Sequence, residues 1–115
     1  MKVSKTSAKD CQIIALQGRL DAQCRDAVNA ELAHIDRLQN ADRLIVDLSG
    51  VDVIDSSGLT VLLSVYRRSC EANRDLGLCG LNAPVRRVIE LTRLHRIFEI
   101  YATREDAIRG IGHVA

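Results

Sequence analysis

Hydrophobic and polar residues follow two different periods along the chain, and together these predict strands that alternate with helices. Residues 11–17 are almost wholly apolar and lie between Asp10 and Gly18, which favours a strand covered on both faces. The more polar residues 3–8 predict a second strand beside it. Over residues 22–39 apolar side chains recur at helical intervals, which predicts an amphipathic helix whose apolar positions are Val28, Leu32, Ile35 and Leu38.

The next segments continue this alternation. Residues 44–48 predict a short buried strand rich in β-branched side chains, and residues 49–50 predict a turn after it. From Ser57 onward the helical spacing returns. The apolar face of this second helix carries Leu59, Leu62, Leu63, Tyr66 and Cys70, and its polar face carries Thr60, Ser64, Arg67 and Glu71.

Shorter elements follow in the last third of the chain. Residues 76–79 predict another buried strand, and Asn82 with Pro84 predicts the start of a third helix. Residues 98–102 predict a last strand and residues 105–109 a final short helix. The third helix has an inward stripe of Val85, Val88 and Ile89.

This order of elements predicts an α/β fold with right-handed crossovers onto a mainly parallel, mixed central sheet of about five strands, with about four helices. In such sheets functional groups collect outside the carboxyl ends of the strands. Residues 55–58 join a predicted strand to a predicted helix at such an end. The sequence therefore directs attention to this junction.

Composition narrows the class of protein. The chain has 115 residues, of which 47% are hydrophobic, and this favours a single domain over residues 1–115. Its formal net charge is only +1, so the charge balance gives no indication of a nucleic acid or anionic membrane partner. We expect recognition by shape and local chemistry.

Cysteine spacing and hydropathy indicate the cellular compartment of the protein. Cys11, Cys24, Cys70 and Cys79 lack the spacing of a zinc site, so we expect reduced thiols and no metal or cofactor. The most apolar run, residues 59–66, is much shorter than the ~20 residues of a membrane span. Polar residues also interrupt the start of the chain, where a secretory signal would be apolar. We therefore expect a cytoplasmic protein that does not insert into a membrane.

The junction sequence Asp55-Ser56-Ser57-Gly58 has two interpretations. Aspartate and serine are preferred helix N-cap residues, and a capping serine does no more than accept a backbone hydrogen bond worth ~1 kcal/mol. The other interpretation is a serine that is chemically modified at the start of a helix. The residue types alone do not separate the two.

Longer stretches of the sequence resemble the STAS family, the sulfate-transporter and anti-sigma-antagonist domain. Residues 44–51 (LIVDLSGV) and 54–59 (IDSSGL) are similar to its signature, and residues 18–21 (GRLD) are similar to the Gly-x-Leu-Asp at the end of an early strand. Residues 82–85 (NAPV) and 87–91 (RVIEL) resemble its third helix. The chain departs from the family at Arg19, where an acidic residue is frequent, and at Thr60, where a smaller one is frequent.

The resemblance implies an anti-sigma factor antagonist that is not an enzyme. In the family the unmodified antagonist binds a GHKL-type serine kinase that is also an anti-sigma factor, and so releases the sigma factor. The kinase phosphorylates the first serine of the motif, here Ser56, which blocks binding, and a PP2C-type phosphatase removes the phosphate. The implied switch and partner-binding residues are Asp21, Asp55, Ser57, Gly58, Leu59 and Thr60.

Each of these residues also has an ordinary structural interpretation. Asp21 is a suitable N-cap for the helix that follows it, and Gly58 suits a tight junction. Leu59 is as consistent with the core as with a partner contact, and the polar stripe of Thr60, Ser64, Arg67 and Arg68 is typical of a solvated helix face.

Three other functions are alternatives to this one. The first, within the same family, is an accessory subunit of a lipid-type ABC transporter. A receiver-type phosphoacceptor would use Asp47 or Asp55, but it needs a lysine late in the chain and every lysine here lies at or before Lys9. A serine hydrolase lacks support, because there is no G-x-S-x-G motif and nothing ties His34, His95 or His113 to Ser56. No Gly-rich phosphate loop is present, so we expect no ATP binding by this chain.

Overall fold

The computed structural model describes residues 2–8, 10–37 and 42–110, without the side chains of residues 34–37. In chain order its strands and helices are β1 (Lys2–Ala8), β2 (Cys11–Leu20), α1 (Arg25–Arg37), β3 (Arg43–Ile54), α2 (Ser56–Glu71), β4 (Asp75–Cys79), α3 (Ala83–Leu91), β5 (Glu99–Tyr101) and α4 (Arg104–Arg109). Short 3₁₀ turns at Ala22–Cys24 and Leu94–Arg96 precede α1 and β5.

Within the described residues the strands form one five-stranded sheet in the order β1-β2-β3-β4-β5. β1 is antiparallel to β2, whereas β2 and β3, β3 and β4, and β4 and β5 pair in parallel. The predicted mixed, mainly parallel sheet with four helices is confirmed. Because each parallel strand is followed by a helix, the carboxyl ends of β2 and β3 lie at the same edge of the sheet.

The two faces of the sheet have separate hydrophobic cores. The larger core lies under α1, α2 and α3 and includes Leu16, Val46 and Leu78 from the strands. The smaller core lies under α4 and consists of Cys11, Ile13, Ile45, Cys79, Tyr101 and Ala107. Burial on both faces explains why β2, β3 and β4 are nearly continuous apolar runs.

Most element boundaries agree with the sequence to within one or two residues. This holds for β1, β4, α3, β5 and α4. The predicted helix over residues 22–39 begins instead with the 3₁₀ turn, and α1 itself starts at Arg25. Leu38 and His113 lie outside the described residues, as do the side chains of His34 and Ile35.

The turn predicted at residues 49–50 is wrong, because β3 continues through it to Ile54. The pairing of β2 with β3 shifts there: Ala15 lies opposite Asp47, whereas Gln17 lies opposite Gly50. Asp47 Oδ1 accepts a hydrogen bond of 2.9 Å from the Ser49 amide. This bond gives the Ser49 amide a partner within its own strand. The polar residues therefore mark a β-bulge and not a turn.

The predicted apolar face of α2 is also partly wrong. Its buried residues are Gly58, Val61, Leu62, Val65 and Ser69, while Cys70 is exposed. Leu59, Leu63 and Tyr66 are half-buried at the border of this stripe. Apolar residues are so dense in this helix that two overlapping stripes fit the helical period, and packing against the sheet selects one.

All four cysteines are free thiols, and Cys11, Cys24 and Cys79 are buried. Burial, followed by the negative charge of Asp47, raises the pKa of Cys79 to about 12. This thiol is therefore un-ionised at neutral pH and packs as a small apolar side chain. In the part of the chain that the structure describes, no helix has the length and apolar character that crossing a membrane requires.

Arg104 and Asp47 form an ion pair between α4 and β3. Arg104 Nη2 lies 2.8 Å and Nε lies 3.1 Å from Asp47 Oδ2, and Asp47 is only 7% exposed. Burial by itself would raise the pKa of Asp47, but the bonds from Ser49 and Arg104 outweigh it and hold this pKa below its usual range. The pair thus joins the last helix to the centre of the sheet.

We expect Asp47→Asn to lower the free energy of unfolding at pH 7 by about 2 kcal/mol, because it removes a charged hydrogen-bond acceptor from a buried site. The folded-state pKa of Asp47 lies below the unfolded value of about 3.9, so the pair stabilises above that pH. Its contribution disappears as the pH falls through the folded-state pKa.

Urea unfolding of the wild type and of Asp47→Asn at pH 7 and pH 3 measures this effect. The difference between their free energies of unfolding should be smaller at pH 3. Asp52→Asn, which changes an exposed carboxylate of the same strand, should stay within about 0.5 kcal/mol of the wild type at pH 7. An equal gap at both pH values would contradict the assignment.

Candidate functional site at the start of α2

The ends of β2 and β3 bring the predicted site residues together. The ladder between these strands ends with Leu20 opposite Ile54. One residue further on, the Asp55 amide donates a hydrogen bond of 3.3 Å to the Leu20 carbonyl. Asp21 and Asp55 therefore follow two adjacent strand ends, and the first turn of α2 begins beside them.

Asp55 is the N-cap of α2. Its Oδ1 accepts a hydrogen bond of 2.9 Å from the Gly58 amide, and its carbonyl accepts one of 3.0 Å from the Leu59 amide. The capping interpretation of the motif therefore applies to Asp55. It does not apply to either serine.

Ser56 is the first residue of α2, and its side chain is exposed. Its carbonyl accepts a hydrogen bond of 3.1 Å from the Thr60 hydroxyl. Within the described residues the Ser56 hydroxyl itself makes no hydrogen bond. The neighbouring Ser57 is half-buried. The junction thus presents one accessible hydroxyl on a helix start that another residue already caps.

Gly58 is buried, and its position is set by the chain itself. A Cβ atom at this residue would lie 2.0 Å from the Leu20 carbonyl oxygen and 2.7 Å from its carbon. Because these are backbone atoms, no side-chain rotation would relieve the overlap. Gly58 is therefore required for the close approach of α2 to the end of β2.

Asp21 caps the 3₁₀ turn in front of α1. Its carboxylate accepts a hydrogen bond of 3.0 Å from the Gln23 amide, and its carbonyl accepts one of 2.9 Å from the Cys24 thiol. Burial raises the pKa of Cys24, opposed by this hydrogen bond and supported by the negative charge of Asp21. Asp21 is half-buried, so its carboxylate keeps part of its surface at the edge of the site.

The exposed face of α2 extends away from Ser56. Thr60 and Arg67 are exposed, and Ser64 and Arg68 are half-buried. The Ser64 hydroxyl donates a hydrogen bond of 3.0 Å to the Thr60 carbonyl. Leu59 is half-buried and packs against the larger core, so it combines a core contact with an accessible surface.

Two residues at this edge were not predicted as part of the site. Val53 is 43% exposed near the end of β3, three residues before Ser56. Asn82 starts α3 as predicted, but its side chain makes no capping bond and instead donates to the backbone of β3. The sequence offers no sign of this, because an asparagine before a helix is expected to bond its own helix.

The structure gives no support to the receiver-type phosphoacceptor. Asp47 is buried and bonded to Arg104, and the Asp55 carboxylate is occupied as a cap. Among residues 2–8, 10–37 and 42–110 no group of three or more His, Cys, Asp or Glu side chains is arranged to hold a metal ion.

Comparison with known proteins gives the family. The STAS domain model matches residues 2–107. The anti-sigma F factor antagonist of Paenibacillus polymyxa is 27% identical over 96 residues, which cover 84% of this chain and 82% of that protein.

Solved structures agree in fold. An anti-sigma factor antagonist from Mycobacterium paratuberculosis has a TM-score of 0.83 at 23% identity, covering 96% of this chain and 92% of the other. The Bacillus cell fate determinant SpoIIAA in its phosphorylated form has a TM-score of 0.72 at 20% identity, covering 96% and 99%.

The family signature lies on β3 and the start of α2, where the ends of two parallel strands, the Asp55 cap and the Gly58 contact fix one geometry. With the match over residues 2–107, this shows that the chain belongs to the STAS domain family.

Proposed function

We propose that this protein is an anti-sigma factor antagonist and that phosphorylation of Ser56 switches off its binding to an anti-sigma factor. The observation that carries the proposal is the exposed, uncommitted hydroxyl of Ser56 at a helix start capped by Asp55. The names of its relatives support the general function, and the phosphorylated form of SpoIIAA supports a covalent switch in this fold. On this proposal the chain is a regulator and not an enzyme.

The switch needs two partners. A GHKL-type serine kinase, which is also the anti-sigma factor, transfers the γ-phosphoryl group of ATP to Ser56 Oγ and releases ADP and a proton. A PP2C-type phosphatase then uses water to hydrolyse the phosphoserine, which restores serine and releases phosphate. The kinase binds the ATP. Because both proposed partners are cytoplasmic enzymes, the proposed function is cytoplasmic.

Ser56 is preferred over Ser57 on accessibility. A kinase must bring the hydroxyl to the γ-phosphate, and Ser56 is exposed whereas Ser57 is half-buried. The Ser56 side chain also has no hydrogen bond to lose among the described residues. Modification of Ser56 therefore leaves the cap at Asp55 and the contact of Gly58 unchanged.

The domain tolerates a phosphate at this position. Phosphorylation adds a charge of about −1.5 to −2, and a helix N-terminus favours an anion through its dipole and free amides. The same charge is unfavourable when a partner covers it. Asp55 is adjacent and Asp21 lies one residue beyond Leu20, while the exposed Arg19 lies opposite Val53, so this edge carries carboxylates beside a single arginine of β2. Covering the dianion without a counter-charge costs several kcal/mol, and 1.4 kcal/mol is tenfold in affinity.

Ser56→Ala is expected to abolish phosphorylation by an anti-sigma factor kinase from the same genome, because the acceptor oxygen is removed. Ser57→Ala, the matched control one residue away, should still gain one phosphate. Intact-protein mass spectrometry after incubation with ATP and the kinase measures this. Phosphate that remains on Ser56→Ala would contradict the choice of serine.

Ser56→Asp is expected to weaken binding to the unmodified kinase at least tenfold, because it places a permanent negative charge at the docking surface. Its melting temperature should change little, since aspartate is favourable in the first turn of a helix. Ser7→Asp adds the same charge to β1 at an exposed position and serves as the control. Equal affinities of the two variants, measured by calorimetry, would contradict the electrostatic switch.

Gly58→Ala is expected to lower the free energy of unfolding by about 2 kcal/mol, the opposite sign to an ordinary Gly-to-Ala change in a helix. The reason is the overlap of the new Cβ with the Leu20 carbonyl. Ser57→Ala in the same turn is the control and should stay within about 0.5 kcal/mol of the wild type. Urea unfolding measures both variants, and a stabilised Gly58→Ala protein would show that the close approach is absent.

The transporter-subunit alternative predicts a different partner. A pull-down with the tagged chain that recovers an ABC ATPase and no kinase would replace the proposal, whereas recovery of a serine kinase supports it.

A further inference from the structure

Among the described residues, no strand lies along one edge of β3 at the end that leads into Asp55 and Ser56. β4 pairs with β3 only from Arg43 to Asp47, and β3 then continues to Ile54. On its other side β2 pairs with it as far as Leu20, but this ladder contains two register shifts. The segment that leads into Asp55 is therefore held less regularly than the middle of the sheet.

Asn82 takes the place of the missing strand. Its Nδ2 donates one hydrogen bond of 2.8 Å to the Val51 carbonyl and one of 3.2 Å to the Ser49 carbonyl. These carbonyls are two residues apart and face the same side of β3, and a primary amide has two hydrogens. One side chain therefore satisfies two acceptors that the next strand would otherwise bind.

Asn82 is itself fixed by α3. Its backbone is extended, and its carbonyl accepts a hydrogen bond of 2.8 Å from the Arg86 amide in the first turn of that helix. Val85 and Ile89, on the inner face of α3, are fully buried in the larger core. The two bonds from Asn82 thus connect the end of β3 to a packed helix.

We propose that Asn82 is a positioning residue for the phosphoacceptor: it holds the end of β3 so that Asp55 and Ser56 keep the geometry that the kinase and the partner recognise. This inference rests on the function proposed above. Asn82 acts through β3, and the chemistry remains with Ser56.

The decisive substitution is Asn82→Asp. An ionised aspartate has nearly the same shape, but it donates no hydrogen bond and places a negative charge against two carbonyl oxygens. Asn73→Asp is the matched control, because Asn73 is exposed just after the end of α2. Both variants keep the full chain and gain the same charge.

Amide hydrogen exchange measures how strongly the bonds from Asn82 stabilise the end of β3, and it needs no partner protein. In Asn82→Asp the protection factors of the hydrogen-bonded amides within residues 50–58 should fall at least tenfold, together with those of residues 17–20 that pair with this segment. The amides of residues 11–15 and of β4 should keep the wild-type values, and Asn73→Asp should keep wild-type protection over residues 50–58. A uniform fall across the chain would mean general destabilisation and would overturn the inference, as would wild-type protection in Asn82→Asp.

The pH dependence supplies a second readout. In the variant the two facing carbonyls favour the neutral carboxyl of residue 82, whereas its position at the start of α3 favours the ionised form. A protonated carboxyl has a single hydrogen and restores one of the two bonds, so protection of amides 50–58 should recover in part as the pH is lowered from 7 to 3. Protection that stays low over this range would count against the role of the two donated bonds.

Phosphorylation kinetics test whether the bonds from Asn82 to β3 affect the proposed function. With the anti-sigma factor kinase and saturating ATP, Asn82→Asp should show a KM for the protein at least fivefold higher with kcat within twofold, because the surface that the kinase recognises is displaced while the Ser56 hydroxyl can still align once bound. Ile108→Ala, which thins the smaller core under α4, is the control for lost stability and should keep the wild-type KM. An unchanged KM in Asn82→Asp overturns the inference. A kinase that does not phosphorylate the wild-type protein refutes the proposed function alone. The hydrogen-exchange experiment then decides whether Asn82 positions the end of β3.

Discussion

The contact between Gly58 and the Leu20 carbonyl is the constraint on which the geometry of the site depends. No side chain fits between these groups, so α2 starts directly against the end of β2. This contact also sets the rotation of α2, because with Gly58 facing inward the residues that follow at helical spacing, Val61, Leu62 and Val65, face inward too. Ser56 consequently faces outward.

A division of tasks follows from this arrangement. Asp55 satisfies the amides of the first turn, Gly58 makes the close contact, and the Ser56 hydroxyl takes no part in either. Because folding does not use that hydroxyl, its modification changes the surface without changing the scaffold. The proposed switch would therefore change affinity without changing stability, which a switch on a capping or buried residue would not do.

The order of elements and the sheet class could be predicted from the sequence, because periodicity records which side of each element is buried. The incorrect predictions lie where a polar contact, local or distant in sequence, determines the structure. The bond from the Ser49 amide to Asp47 converts a predicted turn into a bulge, and the partnership of Asp47 with Arg104 joins residues far apart in the chain. The choice of Ser56 as the proposed phosphorylation site came from the resemblance to the family, whereas the bonds of Asn82 depend on the packing of α3 and have no sequence signature.

The exposed stripe of α2 has a consequence for cells that contain several domains of this kind. Thr60 and Arg67 contribute little to either hydrophobic core, so they can change at almost no cost to folding. If this stripe belongs to the docking surface of the proposed function, substitutions there would alter the choice of partner and leave the fold and Ser56 unchanged. Related domains in one cell would then be kept apart by a single helix face.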